Sequence, residues 1–312
     1  MISAPTFAVG VLCFNRPERA RKLAEHLYSL RAHLREVILV DNASDVPLEP
    51  MMRDLAPLVR VIRTTHNEGT GARNHAFLSS DADILIALDD DVMGLDEASF
   101  AILAECFADP AVAAVNLKVV NAINGRPMNW CHPRPMKTFH AETFETPEMS
   151  EGAVAMRRAA AVAAGLFPQK FFISHEGPDL ALRLINAGHR VIYDPRIVIR
   201  HDPAAEGRAS WRRYYYDTRN VFWLAARNLP WWWGVRRIAR EGGAMMIYSL
   251  RDRHFLHWMR GVIDGIAGIP EMLRERNALG PDARSRVRDM ERLKPGVVHW
   301  LRHRLLRSNV EI

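Results

Sequence analysis

Short apolar runs alternate with stretches of helical spacing along the first two thirds of the chain. Residues 7–14 form the first run, with Val9 and Val11 inside it, and Asn15-Arg16-Pro17 breaks it. Pro17 suits the first turn of a helix running to about Leu30, with Ala20, Leu23, Ala24, Leu27 and Leu30 on one face. Residues 36–40 predict a second strand, closed by Asp41-Asn42-Ala43-Ser44-Asp45, and a weaker strand at 59–63 follows a helix. Residues 66–74 open another helix. The run 84–91, Ile-Leu-Ile-Ala-Leu-Asp-Asp-Asp, then reads as a buried strand ending in carboxylates. A helix near 99–107 and a strand near 112–119 continue the pattern. Such alternation predicts an α/β fold with a mostly parallel sheet flanked by helices.

Between residues 121 and 150 the pattern fails, and Pro, His, Trp and Thr are scattered without period. A long loop or irregular excursion that could cover a site is expected there. Order returns at 152–156 and in a helix around 180–187. Two short strands, 191–193 and 197–199, precede His201. After Ala204 the chain turns helical, with segments at 211–227, 235–248 and 254–266 and a polar helix near 281–293. Leu229-Pro230-Trp231-Trp232-Trp233-Gly234 is expected to break the helices.

Three adjacent aspartates, Asp89, Asp90 and Asp91, repel one another unless a cation sits among them. Strand ends of open α/β sheets are where ligands bind. Hard oxygen donors favour Mg²⁺ or Mn²⁺, usually bridged from one or two carboxylates to phosphates. The plainer alternative is a solvated acidic loop. Asn67-x-Gly69-x-Gly71-x-Arg73-Asn74 brings two glycines to a helix start, where backbone amides can approach an anion, although a turn with a helix cap explains the same residues. It is neither a Walker A loop nor a G-x-G-x-x-G fingerprint. Asp41 ends the second strand, where a carboxylate can accept from a ribose or a base edge, or serve as a turn residue. Glu176 and Asp179 lie three apart at a helix start, as a general base or as capping acids. His201, just past a strand, is a surface residue or a metal ligand.

The charge is unevenly spread. Residues 1–202 carry 21 Lys and Arg against 25 Asp and Glu, whereas residues 203–312 carry 21 against 11. Seven of the eight Trp follow residue 210. A basic, aromatic tail points to an anionic surface as partner. Three cysteines without metal-type spacing suit a reducing compartment. No signal-peptide pattern and no run of 18 apolar residues is evident, so no spanning helix is expected.

Taken in order, these pieces resemble family 2 glycosyltransferases of the GT-A fold, most closely bacterial enzymes that build cell-surface polysaccharides, the rhamnosyltransferase-like branch included. The likeness rests on Phe14-Asn15-Arg16, Val40-Asp41-Asn42-Ala43-Ser44, Asn67-x-Gly…Arg73-Asn74, Leu88-Asp-Asp-Asp91, His175-Glu176-x-x-Asp179-Leu-x-Leu-Arg183 and Val198-x-x-His201, and covers roughly residues 6–228. It implies a catalytic domain over 1–203 and a helical region over 204–312. It implies a nucleotide-sugar donor, UDP-, dTDP- or GDP-linked, held around Asn15, Asp41, Asn67, Gly69, Arg73, Asp89 and Asp90. Asp41 would hold the base and Arg73 would lie near it or the phosphates. A Mg²⁺ or Mn²⁺ ion would sit on Asp89, Asp91 and His201, with Asp91 the more direct contact. In many relatives the base that activates the acceptor comes from a Glu-Asp pair. Gly177 replaces the second acid here, which leaves Glu176 and Asp179 as candidates. The reaction implied is direct displacement with inversion, onto a glycan or lipid-linked acceptor.

Two other classes compete. A nucleotidyltransferase would need a glycine-rich basic loop after the first strand, which Asn15-Arg16-Pro17 is not. A degenerate domain acting as a nucleotide-sugar or membrane binding module is kept open by Gly177. Trp211, Trp223, Trp231, Trp232, Trp233 and Trp258 lie among many arginines. They predict either a packed helical subdomain or salt-sensitive attachment to the inner face of the cytoplasmic membrane. No nucleic-acid motif is present.

Overall fold

A computed structural model describes residues 4–202 and 211–294. Nine strands make one sheet. Strands β1 (Phe7–Cys13), β2 (Glu36–Asp41), β3 (Val59–Arg63) and β4 (Ile84–Asp89) are parallel and form one half, in the order β3-β2-β1-β4. The other half holds β5 (Val92–Met93), β6 (Val112–Asn121), β7 (Phe144–Glu145), β8 (Ala153–Arg157) and β9 (Arg190–His201). There β8 runs antiparallel between β4 and β6, and β6 pairs parallel with β9. The sheet is therefore mixed, with a parallel half as the alternation predicts and a second half joined through β8.

Residues along β4 alternate between two cores. Ile84, Ile86 and Leu88 face one, and Leu85 and Ala87 face the other. Burial on both sides is why this strand reads as an unbroken apolar run. Helices α1 (Pro17–Ser29), α2 (Glu49–Met52), α3 (Asn74–Ser79), α4 (Glu97–Ala108), α5 (Met136–Phe139), α6 (Arg158–Ala163) and α7 (Glu176–Asn186) connect the strands. Leu23 and Leu27 of α1 and Phe100 and Leu103 of α4 fill the first core. Phe77 of α3 and Leu180 and Leu184 of α7 fill the second.

The tail forms α8 (Trp211–Asn228), α9 (Trp231–Arg251), α10 (Phe255–Ala267), α11 (Ile269–Arg274) and α12 (Pro281–Glu291). Leu224, Met272, Val287 and Met290 belong to the same core as α3 and α7, so these helices are a further layer on the sheet. The boundary expected at 203–204 lies outside the described residues, as does Trp300.

Three boundaries differ from the sequence expectation. The two strands expected at 191–193 and 197–199 are one strand, β9. A register shift against β6 between Leu117 and Lys118 absorbs Pro195, Arg196 and Ile197, and Asp194-Pro195-Arg196 interrupts the apolar pattern. Helix α9 starts at Trp231, directly after Pro230, and runs through Gly234, which packs against the Ala225 side chain. The excursion at 121–150 is anchored by β7 pairing with β9 and by a ring cluster in which Phe144 lies 5.1 Å from Tyr193 and Trp130 lies 4.9 Å from His132.

Candidate active site

The carboxyl ends of β1, β2 and β4 meet, and three loops lock there. Asn15 bridges to the β2 loop, its Nδ2 donating to Asp45 Oδ2 at 3.1 Å and its Oδ1 accepting from the Asp45 amide at 2.7 Å. Asp41 is fully buried. Its Oδ1 accepts from the Ser44 amide at 3.0 Å, and its Oδ2 from the Leu48 amide at 3.3 Å and Arg63 Nη1 at 2.6 Å. Burial raises its pKa, but these donors outweigh burial and hold the carboxyl below its usual range. Asn67 Oδ1 accepts from the Gly69 amide and from Asn42 Nδ2, at 2.9 and 3.0 Å.

Gly69 reads in the sequence either as a turn residue or as part of an anion-binding loop. Its φ is +66°, a side chain on it would overlap the Phe172 carbonyl, and its amide is spent on Asn67. Gly71 likewise packs on Gln169, 2.8 Å from where its side chain would begin. The two glycines serve close approach of chain to chain.

The three aspartates are compensated by arginines. Asp89 pairs with buried Arg73. Arg16 Nη1 donates to Asp90 Oδ1 at 3.0 Å and to Asp91 Oδ2 at 2.7 Å. Burial nevertheless pushes Asp90 up to about 6, against the pull of Arg16. Asp91 is also raised by burial, yet His201 and then Arg16 bring it below the usual carboxylate range. His201 Nε2 lies 3.3 Å from Asp91 Oδ1. That oxygen is buried, and His201 is the group that faces it.

The expectation that the aspartates need a metal to coexist is corrected by the two guanidiniums. Among the described residues no three acids, histidines or cysteines are grouped to hold an ion, and Asp89 is paired with Arg73 as Asp91 is with Arg16. Asp91 and His201 make a two-donor pair. That suits a Mg²⁺ or Mn²⁺ ion whose other ligands are phosphate oxygens and water.

Helix α7 brings the last acids. Glu176 and Asp179 sit in its first turn, but they face different surroundings. Asp179 is fully buried among Arg183, Arg227 and Asn228, with Arg183 Nη2 at 2.7 Å and Arg227 Nε at 3.0 Å. It ties α7 to α8. Glu176 is 2% exposed and lies beside Glu151, which sequence reasoning passed over. The amide of Gly177 donates to Glu151 Oε1 at 2.7 Å. Burial first, and Glu176 second, push Glu151 up to about 8. The approach to α7 is strained: Phe172, Ser174 and His175 have φ of 64°, 77° and 66°. Asn220 of α8 clamps it, donating to the carbonyls of Phe171, Ile173 and Ser174 at 3.0, 2.8 and 2.8 Å.

The mixed α/β sheet carries its acids at one strand end, and comparison with known proteins fixes the family. Residues 8–163 match the family described as Glycosyl transferase family 2, and the chain belongs to it. It is 27% identical over 248 residues to the pre-mycofactocin glycosyltransferase of Mycobacterium tuberculosis, covering 76% of this chain and 50% of that protein. It is 28% identical over 209 residues to the O-antigen chain rhamnosyltransferase RfbN of Salmonella typhimurium, covering 63% and 64%. The chain thus spans half the length of the first relative and under two thirds of the second. Among solved structures, S. aureus TarS 1–349 in complex with UDP-GlcNAc aligns with a TM-score of 0.63 at 16% identity, over 97% of this chain and 93% of that one. The mannosyltransferase PcManGT from Pyrobaculum calidifontis, in complex with GDP-Man and Mn²⁺, aligns with 0.56 at 17%, over 99% and 89%. At these identities the structures establish the GT-A fold.

Proposed function

We propose that the protein transfers a sugar from a nucleoside-diphosphate sugar to a hydroxyl of a cell-surface glycan or lipid-linked acceptor, with inversion. The observation that carries this is the Asp91–His201 pair at the end of β4, where His201 Nε2 lies 3.3 Å from a buried Asp91 oxygen. Family membership sets the reaction class, and the Mn²⁺-containing neighbour makes a divalent ion chemically reasonable. Bound at Asp91 and His201, Mg²⁺ or Mn²⁺ would supply neutralisation of the leaving diphosphate. Arg16 and Arg73 add fixed positive charge at the same strand end. Asn15, Asp41 and Asn67 shape the donor pocket by holding its loops. The base belongs to the carboxyls at the start of α7, to which Glu176 contributes. UDP-, dTDP- and GDP-sugars should be screened by thermal shift with Mn²⁺. One of them should stabilise the wild type and not Asp91→Ala, and no stabilisation by any of the three classes counts against the reading.

We also propose peripheral attachment to an anionic membrane face. No helix among the described residues is long and apolar enough to cross a bilayer. Helix α10 exposes Leu256, Met259, Ile263 and Ile266, spaced on one face, with Leu256 74% and Ile263 61% exposed. Trp231 and Trp232 are exposed on α9, and Arg236, Arg240, Arg251, Arg253 and Arg260 are exposed on or beside these helices. Such a face suits burial at the headgroup boundary. The other tail tryptophans lend it less: Trp223 and Trp258 donate to the carbonyls of Gly265 and Gly242, and Trp233 packs on the second core.

A further inference from the structure

Gly177 removes one acid from the start of α7, but the space it leaves is filled. A side-chain carbon at 177 would overlap Glu151 Oε1 and the Met149 carbonyl. The Glu151 carboxyl therefore stands over the first turn of an eleven-residue helix, where it accepts from the Gly177 amide at 2.7 Å. A helix N-terminus favours the charged form of such a group.

The residue after Glu151 reaches the other half of the site. This residue, Gly152, lies so close to Asp89 that a side chain on it would overlap the Asp89 carboxylate, and its carbonyl accepts from the Asp89 amide at 3.2 Å. Arg73, the partner of Asp89, acts electrostatically on Glu151 as well. Residues 151–152 thus join the aspartate strand end to the head of α7. Of the two glutamates, Glu176 is buried while Glu151 is partly exposed. Glu151 is the less enclosed of the two and stands between these two elements.

We propose that Glu151 is the base for the transfer, reaching from the chain before β8 into the space of the absent second acid, with Glu176 behind it as a positioning residue. This rests on the glycosyl-transfer reading above. In the step, the acceptor hydroxyl gives its proton to the Glu151 carboxylate and its oxygen bonds to the anomeric carbon. The bond from that carbon to the phosphate oxygen breaks, and the nucleoside diphosphate leaves with the electron pair.

The charged and titratable groups acting on Glu151 are Glu176 from α7, Arg73 from the turn before α3, and Cys131 from the excursion. Burial first, and Glu176 second, favour the protonated form of Glu151. A base so raised gives a rate that rises with pH through about 8.

The test uses the full chain with Mn²⁺ and UDP-glucose, dTDP-rhamnose and GDP-mannose, reading release of nucleoside diphosphate with water as acceptor, alongside donor affinity and melting temperature. Glu151→Gln should bind donor as the wild type does and release it roughly 10²–10⁴-fold more slowly. It should also lose the ascending limb of the pH profile. Glu151→Asp should recover at least about tenfold over Gln, since it restores the carboxylate. Release by Glu151→Gln within tenfold of wild type, or an unchanged ascending limb, overturns the assignment alone. If Gln melts early, Glu151→Asp carries the test, and an unshifted limb in it overturns the assignment. A wild type that neither binds nor cleaves any of the three donors overturns the transfer reading and the assignment with it.

Discussion

At the scale of single residues, two acids three positions apart in α7 part company. Asp179 carries two buried arginines, so Asp179→Asn leaves Arg183 without its acid and Arg227 with Glu275 alone. It should cost about 3–5 kcal/mol of stability, measured by urea unfolding at neutral pH. A loss under about 1 kcal/mol would contradict the buried role. Asp91→Ala should do the reverse: nearly unchanged unfolding, and sugar transfer reduced more than about tenfold, or 1.4 kcal/mol of barrier. Glu151 gives a pH signature in stability as well. Its folded pKa of about 8 lies above the ordinary 4.5, so the folded state binds the extra proton between those values. Stability from this group is present below pH 4.5 and is lost as pH rises towards 8. Melting scans from pH 5 to 9 should show wild type losing ground to Glu151→Gln; parallel curves would contradict the shift.

At the scale of elements, the apolar strands and the aspartate strand end were readable because burial on both faces and sudden charge are local signals. The partners were not. Arg16 on Asp90 and Asp91, Arg63 on Asp41 and Arg73 on Asp89 join residues from 16 to 75 positions apart, and no pattern of spacing encodes such pairs. Glu151 was illegible for the same reason: it acts on α7 from 26 residues upstream. Gly69 looked like a phosphate loop because a glycine serves a ligand's backbone approach and a chain crossing equally well. Two predictions belong here. Gly177→Asp, which writes the relatives' second acid back, should lower stability and activity, because Met149 and Glu151 already occupy the space. Higher turnover in that variant would contradict the packing at the head of α7. Asn220→Ala removes three donated contacts from the strained approach to α7. It should destabilise by roughly 1–3 kcal/mol and depress turnover while leaving donor affinity near wild type, as read by unfolding and steady-state kinetics.

At the scale of the whole molecule, the charge asymmetry seen in the sequence has a structural counterpart. The basic tail is one layer on the sheet, its inner side packed and its outer side carrying the α10 stripe. The tryptophans drew attention in the sequence, but several of them turn inward, and the exposed aliphatic face was hidden by the ordinary helical spacing of core residues. Flotation with anionic vesicles checks the membrane proposal. The protein should float at low salt, and Leu256→Glu with Ile263→Glu should leave it in the soluble fraction without lowering its melting temperature. Equal flotation of that double variant would contradict a role for this face.

The central claim is metal-assisted sugar transfer at the end of β4, and its most direct measurement is nucleoside-diphosphate release from the stabilising donor, with Mn²⁺ and with EDTA, in wild type and Asp91→Ala. The account predicts release by the wild type with Mn²⁺, its loss with EDTA, and little release by Asp91→Ala under either condition. Equal release with and without EDTA, or release by Asp91→Ala within about tenfold of wild type, would contradict it.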